Sequence, residues 1–391
     1  MIIIEKPYVS EMLVDTIAQN GWVVLENEAL GIAPIEDGAF ETVTSEMASD
    51  YYNQVEHPII YSNSESSISW VLENLPDSEL SRYIKLFKDK IEFRKMLSDM
   101  YPNFFFKEVL FEDLKSLSVS ELKFPLIIKP AVGFLSFGVH TIQSESDWNN
   151  AIAIIDKELE VAKGLYPQSV IDSSKFILEE YIVGEEYAVD AYYDKDGNPV
   201  ILNIFQHPFL SDKDVRDRVY MTSAGIMMKH MARIALLLKN IGDKVNIKNF
   251  PMHFELRITE DSELIPIEVN PMRFTGWCAA DLAKYAWNIN VYECFMKQLK
   301  PDWNAILGSA TRGVYYFSMA EVPTYVDKTK IDGFEYDVYL ANFSKVLEVR
   351  RINYEKNPLF MIIFGKTEDK EEVKKILSLR TEDYIISAAK E

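Results

Sequence analysis

The sequence predicts an α+β chain: a small parallel α/β N-terminal domain, a strand-rich middle and a C-terminal α+β appendage. Three observations carry this expectation. Ile2–Glu5, Val9–Gln19 and Trp22–Leu25 read strand, helix, strand, a βαβ unit whose crossover implies parallel strands. From Leu126 to Glu268 strand-like patterns dominate, interrupted by two helices. From Gly313 to Glu391 strand-like runs alternate and end in a charged helix. The boundaries expected are 1–88, 89–300 with a lid subdomain near 105–182, and 301–391.

After the βαβ unit, Pro58–Tyr61 and Glu65–Asn74 read as a further strand and helix. Pro76-Asp77-Ser78 caps a helical pattern that carries apolar residues at Leu80, Tyr83, Ile84, Phe87, Ile91, Met96 and Leu97 and runs to Met100. Asp89 is placed to recap it midway, and Pro102 ends it. The middle strands are Leu126–Lys129, Gly138–Ile142, Lys175–Tyr181, Glu186–Tyr193, Pro199–Gln206, His253–Ile258 and Glu263–Val269. Asp194-Lys195-Asp196-Gly197 is a hairpin turn by its Asp-Gly signal, and Thr259–Ser262 is a second polar turn. Helices are expected from Ser144 to Gly164, Tyr220 to Asn240 and Ala279 to Leu299.

Composition excludes several classes. Among 391 residues, 41 Lys and Arg face 61 Asp and Glu, a net charge of −20. Such a surface repels nucleic-acid phosphates, so no nucleic-acid partner is expected. A phosphate ligand would need a local cationic pocket or a metal. No apolar run reaches membrane-spanning length, so no membrane partner is expected either. The opening Met1-Ile2-Ile3-Ile4-Glu5 lacks a cationic n-region and a cleavage site, which reads as cytoplasmic. Cys278 and Cys294 are the only cysteines. They exclude a disulfide scaffold, and their spacing within one expected helical segment argues against a metal pair. The five histidines show no zinc spacing.

Three stretches carry candidate chemistry. Glu268 and Asn270 are two apart and share a strand face. A hairpin closed at Thr259–Ser262 would bring Glu255 beside Glu268, with Phe254, Leu256, Ile267 and Val269 on the opposite face. Two carboxylates and an amide oxygen suit Mg²⁺; a solvated sheet face is the plain alternative. Uncrowding such a carboxylate cluster by Glu268→Gln would cost little stability. Lys129 ends an apolar strand before a loop with Gly133 and Gly138, where backbone amides and an ammonium could meet phosphate; an ordinary β-hairpin with an exposed lysine is the plain alternative. Phe176 to Glu186 is an apolar strand that ends in acids, turns at Gly184 and resumes, the form of a hinge for an adenine edge or of a charged strand exit.

The order of these stretches resembles the ATP-grasp superfamily over about Asp89 to Leu299, ending on Glu268-Val269-Asn270-Pro271-Met272-Arg273-Phe274. The resemblance implies an ATP-grasp fold and a set of roles. Lys129 and Lys90 would contact the phosphates. Gly133, Ser136 and Gly138 would form the loop over the triphosphate. Glu179, Glu180, Tyr181 and Ile182 would line the adenine, and Glu186 would hold the ribose. Glu255, Glu268 and Asn270 would carry Mg²⁺ (or Mn²⁺). Arg273 and Arg257 are the catalytic candidates, Arg273 on the transferring phosphoryl group and Arg257 as a phosphate or carboxylate contact. His253 reads as a structural residue. Acceptor specificity is expected from Trp277, Arg312 and the N-terminal domain.

The activity implied is an ATP-dependent ligase joining a small-molecule carboxylate to an amine through an acyl phosphate. The alternatives are a small-molecule kinase, a carboxylase-type enzyme or a non-catalytic ATP-binding protein. The sequence leaves a homodimer open.

Overall fold

A computed structural model describes residues 1–31, 40–120, 122–133, 138–162, 172–210 and 218–387. Four short strands, Ile2–Ile3, Val24–Leu25, Thr42–Val43 and Tyr61–Ser62, form a parallel N-terminal sheet. Ser10 caps the first helix, Glu11–Asn20, by accepting from the Leu13 amide, and Gly21 ends it in the left-handed region. Thr42–Val43 carries no sequence signal, because two residues have no periodicity.

The helical pattern after Ser78 is two helices, Glu79–Lys88 and Lys90–Leu97. Asp89 has extended backbone at the break, and its carboxylate accepts from the Ile91 and Glu92 amides. The break places Lys88 and Lys90 on two different carboxylates of one cleft. A continuous helix would turn residues two apart away from each other.

The middle of the chain builds two sheets. One is four-stranded, in the order Phe106–Leu110, Asp172–Glu180, Leu126–Val132, His140–Ile142. Phe106–Leu110 was not anticipated, since Lys107 and Glu108 interrupt its apolar pattern on a sheet edge. Trp148–Ala162 covers this sheet, packing Trp148, Ile152 and Ile155 on Leu126, Ile128 and Leu178. The other sheet is eight-stranded and antiparallel. Its order is Leu264–Pro271, Phe250–Ile258, Glu185–Tyr193, Pro199–His207, Val219–Thr222, Val314–Glu321, Leu359–Thr367 and Val346–Arg351. Its last three strands come from the C-terminal region, so one sheet runs from the central hairpin into that region.

Two helices expected from sequence are corrected. The stretch expected to begin a helix at Tyr220 starts as strand Val219–Thr222, hydrogen-bonded on both edges. Ser223 then caps helix Ala224–Val245. Ala279–Leu299 is not one helix. Asn288 takes a left-handed conformation after Leu282–Trp287, and Asn290 caps a new helix at Val291–Met296. Cys278 and Cys294 therefore lie in separate elements, both buried and free.

Candidate active site

The eight-stranded sheet, the four-stranded sheet and the N-terminal domain enclose a cleft of about 1290 Å³. The central hairpin forms as expected. Thr259 N donates to Glu263 O and Ser262 N to Thr259 O, and Glu255 pairs directly with Glu268. Both line the cleft with His253, Arg257 and Asn270. Asn270 Nδ2 donates to Glu255 Oε1 at 2.9 Å, which joins the amide to the first carboxylate.

Ile267, expected on the opposite face, lines the cleft instead. Leu256 pairs with Pro266 and Glu255 with Glu268, so Ile267 is the extra residue of a bulge. A bulge re-aims a side chain without losing the flanking register.

The expected repulsion between the two carboxylates is also corrected. Lys90 Nζ stands 2.8 Å from Glu268 Oε2. Burial works to raise the Glu268 carboxyl, but Lys90 and then Lys129 outweigh it and hold the group below its ordinary value. Removing this charge strands a buried lysine rather than relieving strain.

Lys129 is buried and stands 2.7 Å from Glu179 Oε2. Arg94 binds the other oxygen of the same carboxylate through Nε and lies over the Phe104 ring. Burial pushes Glu179 up, yet Arg94 and Lys129 together bring it down to about 2. Arg94 was missed from the sequence. Its position one turn after Lys90, at i+4 on the same helix face, was the available signal. Its Nη2 is buried with no hydrogen-bond partner among the described residues, on a side chain that lines the cleft.

At the hinge, Glu180 Oε2 accepts from the Phe105 amide, and Glu180, Tyr181 and Ile182 line the cleft beside Ile127 and Val139. Gly184 packs so closely on the central hairpin that an added Cβ would stand 2.4 Å from Ile258 O. Arg257 turns toward this end. Its Nε and Nη2 reach Glu186 Oε2 at 3.1 and 3.0 Å, and Nη1 donates to Ile182 O at 2.7 Å. Glu186 Oε1 meets His207 Nδ1 at 3.2 Å. Burial raises Glu186, but His207 and Arg257 prevail and keep it low.

Gly133 lines the cleft, Gly138 has φ +68° beside Pro130, and Ser136 lies outside the described residues. Arg273 also lines the cleft and is held by Glu65. Trp277 lines it near Tyr8, with ring centroids 6.2 Å apart. Arg312 does not: it is exposed and outside the cleft walls. His253 is buried, with Nδ1 3.0 Å from Asp190 Oδ1, and Thr275 donates to that oxygen through N and Oγ1 at 2.8 Å each. Glu65, Lys88, Asp190 and Thr275 had no legible signal, because only long-range packing brings them here.

No cluster of three or more His, Cys, Asp or Glu side chains that could hold a metal ion occurs among the described residues. Two carboxylates and an amide fit a cation that completes its shell with phosphate oxygens and water, as Mg²⁺ does. No helix among the described residues is long and apolar enough to cross a membrane.

Residues 122–281 match the family profile of the ATP-grasp domain, and the architecture is the ATP-grasp fold. The L-amino acid ligase of Bacillus licheniformis superposes with a TM-score of 0.68 at 17% identity, over 100% of this chain and 98% of that one. N5-carboxyaminoimidazole ribonucleotide synthetase of Thermotoga maritima gives a TM-score of 0.63 at 16% identity, over 100% and 99%. Biotin carboxylase of Campylobacter jejuni gives 0.62 at 14%, over 99% and 91%. No curated protein matches the sequence.

Proposed function

We propose that this protein is an ATP-dependent ligase that joins a small-molecule carboxylate to an amine through an acyl phosphate, releasing ADP and phosphate. One observation carries the reading. At one end of the cleft Lys90, Lys129 and Arg273 converge with Glu255, Glu268 and Asn270, cations and hard oxygen donors side by side. Similarity of fold to an L-amino acid ligase supports the same class of chemistry.

In this reading adenine lies along Glu179–Ile182, and Glu186 faces the ribose. Arg257 braces the hinge by tying Ile182 O to Glu186 rather than reaching the reacting atoms. Lys90 and Lys129 hold phosphate oxygens as point charges. Glu255, Glu268 and Asn270 would hold Mg²⁺ or Mn²⁺, which when bound neutralises phosphate charge. The substrate carboxylate attacks the γ-phosphorus, and ADP leaves. The amine then attacks the acyl carbon and phosphate leaves. Arg273 stabilises the charge that develops on the transferring group. No protein nucleophile is needed.

The test is a screen of carboxylates with ATP and hydroxylamine as the amine surrogate. A hydroxamate with stoichiometric ADP supports the reading, and EDTA should abolish it until Mg²⁺ or Mn²⁺ is restored. AMP and pyrophosphate would rule out the acyl-phosphate route. A stable phosphorylated alcohol would identify a kinase, and bicarbonate-dependent ADP release without hydroxamate would favour carboxylase-type chemistry. ATP binding without turnover would favour a non-catalytic protein.

A further inference from the structure

Glu65 and Lys88 come from distant parts of the chain and meet beside Arg273, yet neither has a role in the chemistry above. Glu65 opens the short turn that leads into helix Ile68–Asn74. Its Oε1 accepts from Arg273 Nε at 3.2 Å and from Nη2 at 2.7 Å. Its Oε2 takes the Lys88 ammonium. That ammonium also donates to the Gly133 carbonyl at 2.9 Å. Gly133 directly follows strand Leu126–Val132, which carries Lys129. Hydrogen bonds and the strand backbone thus connect Lys129 to Arg273 through Gly133, Lys88 and Glu65.

Two features set this group apart from an ordinary buried ion pair. Lys88 and Arg273 bring two positive charges to a single carboxylate, and the Glu65 and Lys88 side chains are both 7% exposed. Glu268 also faces Lys88 and Glu255 also faces Arg273, so these buried charges form one group that is costly to pull apart. Arg273 is also fixed in orientation. Nε and Nη2 are bound to Glu65 and Nη1 to Phe274 O at 3.0 Å. Of the five N–H donors of a guanidinium, two therefore stay uncommitted among the described residues.

We propose that Glu65 is a positioning residue for Arg273, and that Lys88 couples it to the strand of Lys129. A nucleotide seated on that strand holds the Gly133 carbonyl, hence Lys88 and Glu65, and so stiffens the Arg273 fork for an anionic oxygen. The coupling is reciprocal: an anion on Arg273 tightens the nucleotide. The proposal rests on the ligase reading for its ligands.

The test uses the full chain with Mg·AMP-PNP. Nucleotide affinity is measured by calorimetry, and hydrogen exchange is followed at amides 273–277. In the wild type, nucleotide should slow exchange there by at least about fivefold. Lys88→Met leaves the charge-balanced pair Glu65–Arg273, so it should fold. It should bind nucleotide within about threefold of wild type and lose that protection. With the best carboxylate from the hydroxamate screen, it should lower kcat about tenfold with little change in KM for ATP. Lys88→Arg should restore much of the loss, and Glu65→Gln should repeat the kcat defect.

Protection retained in Lys88→Met, or a raised KM with unchanged kcat, overturns the coupling and leaves the ligase reading standing. No nucleotide binding by the wild type would sink both.

Discussion

Lys129 shows how one side chain can be buried, paired and still line a cleft. Its partner Glu179 is shared with Arg94, so the carboxylate stays paired if the lysine is lost. Lys129→Ala should therefore remain folded. It should lose nucleotide affinity by about 10–100-fold, the value of one charged hydrogen bond of roughly 1.5–3 kcal/mol. Calorimetric titration with Mg·AMP-PNP checks this, and wild-type affinity would remove Lys129 from the site. The acids give a second prediction. Glu65 and Glu179 sit at about 2 when folded against an ordinary 4.5, because their cations outweigh the cost of burial. A depressed folded value stabilises above the unfolded one and is lost as pH falls through the folded one. Stability should thus hold above about pH 5 and fall between about 4.5 and 2, by roughly 3 kcal/mol per group. Urea midpoints across that range read it out. Glu179→Gln should be less stable at neutral pH and show a shallower acid slope. An unaltered slope would count against the assignment.

The elements that matter most are those that break or bulge. The break at Asp89 sends Lys88 to Glu65 and Lys90 to Glu268. The bulge at Ile267 puts an apolar residue into the cleft wall while Glu268 keeps its place opposite Glu255. The hinge at Gly184 is a third case. Its neighbours within contact are backbone atoms of Ile258 and Thr259, which cannot swing aside as a side chain does. Gly184→Ala should push the hinge off the central hairpin. The expected cost is about 1–3 kcal/mol of stability, the usual range for overpacking, with weaker nucleotide binding. A thermal melt and a nucleotide titration test it together. If both match wild type, the close approach is not what holds the hinge.

Across the whole molecule, a buried cluster joins the three parts of the chain. Asp281 accepts from Ser10 at the first helix cap, from Tyr292 at 2.6 Å and from Arg350 of strand Val346–Arg351 at 2.7 Å. Asp281 follows closely on the segment that carries Arg273, Thr275 and Trp277, so the C-terminal region braces the site from behind. Burial pushes the Asp281 carboxyl above its ordinary value, and Arg350 opposes this. Arg350→Met would leave that carboxylate without its cation. The expected loss is about 3–5 kcal/mol in urea unfolding. The exposed pair Lys374–Glu371 is the control, and Lys374→Met should cost less than about 1 kcal/mol. Equal effects from the two would refute the bracing role.

Local chemistry made much of this legible from sequence. Period-two patterning and a polar turn placed Glu255 opposite Glu268, because a hairpin's register follows from its turn. Asp89 announced the helix break, because a cap needs only its own neighbours. The same reasoning failed where nonlocal contact decides. Val219–Thr222 is a strand because two other strands flank it. Glu268 is calmed rather than crowded because Lys90 comes to it from a distant helix. Residues close along the chain are enough to specify the hairpin and the caps, since each depends only on a turn or on a helix's own first amides. That Glu65, Lys88 and Arg273 share one buried charge balance emerges only on folding, because burial and Coulomb interaction depend on distance in space.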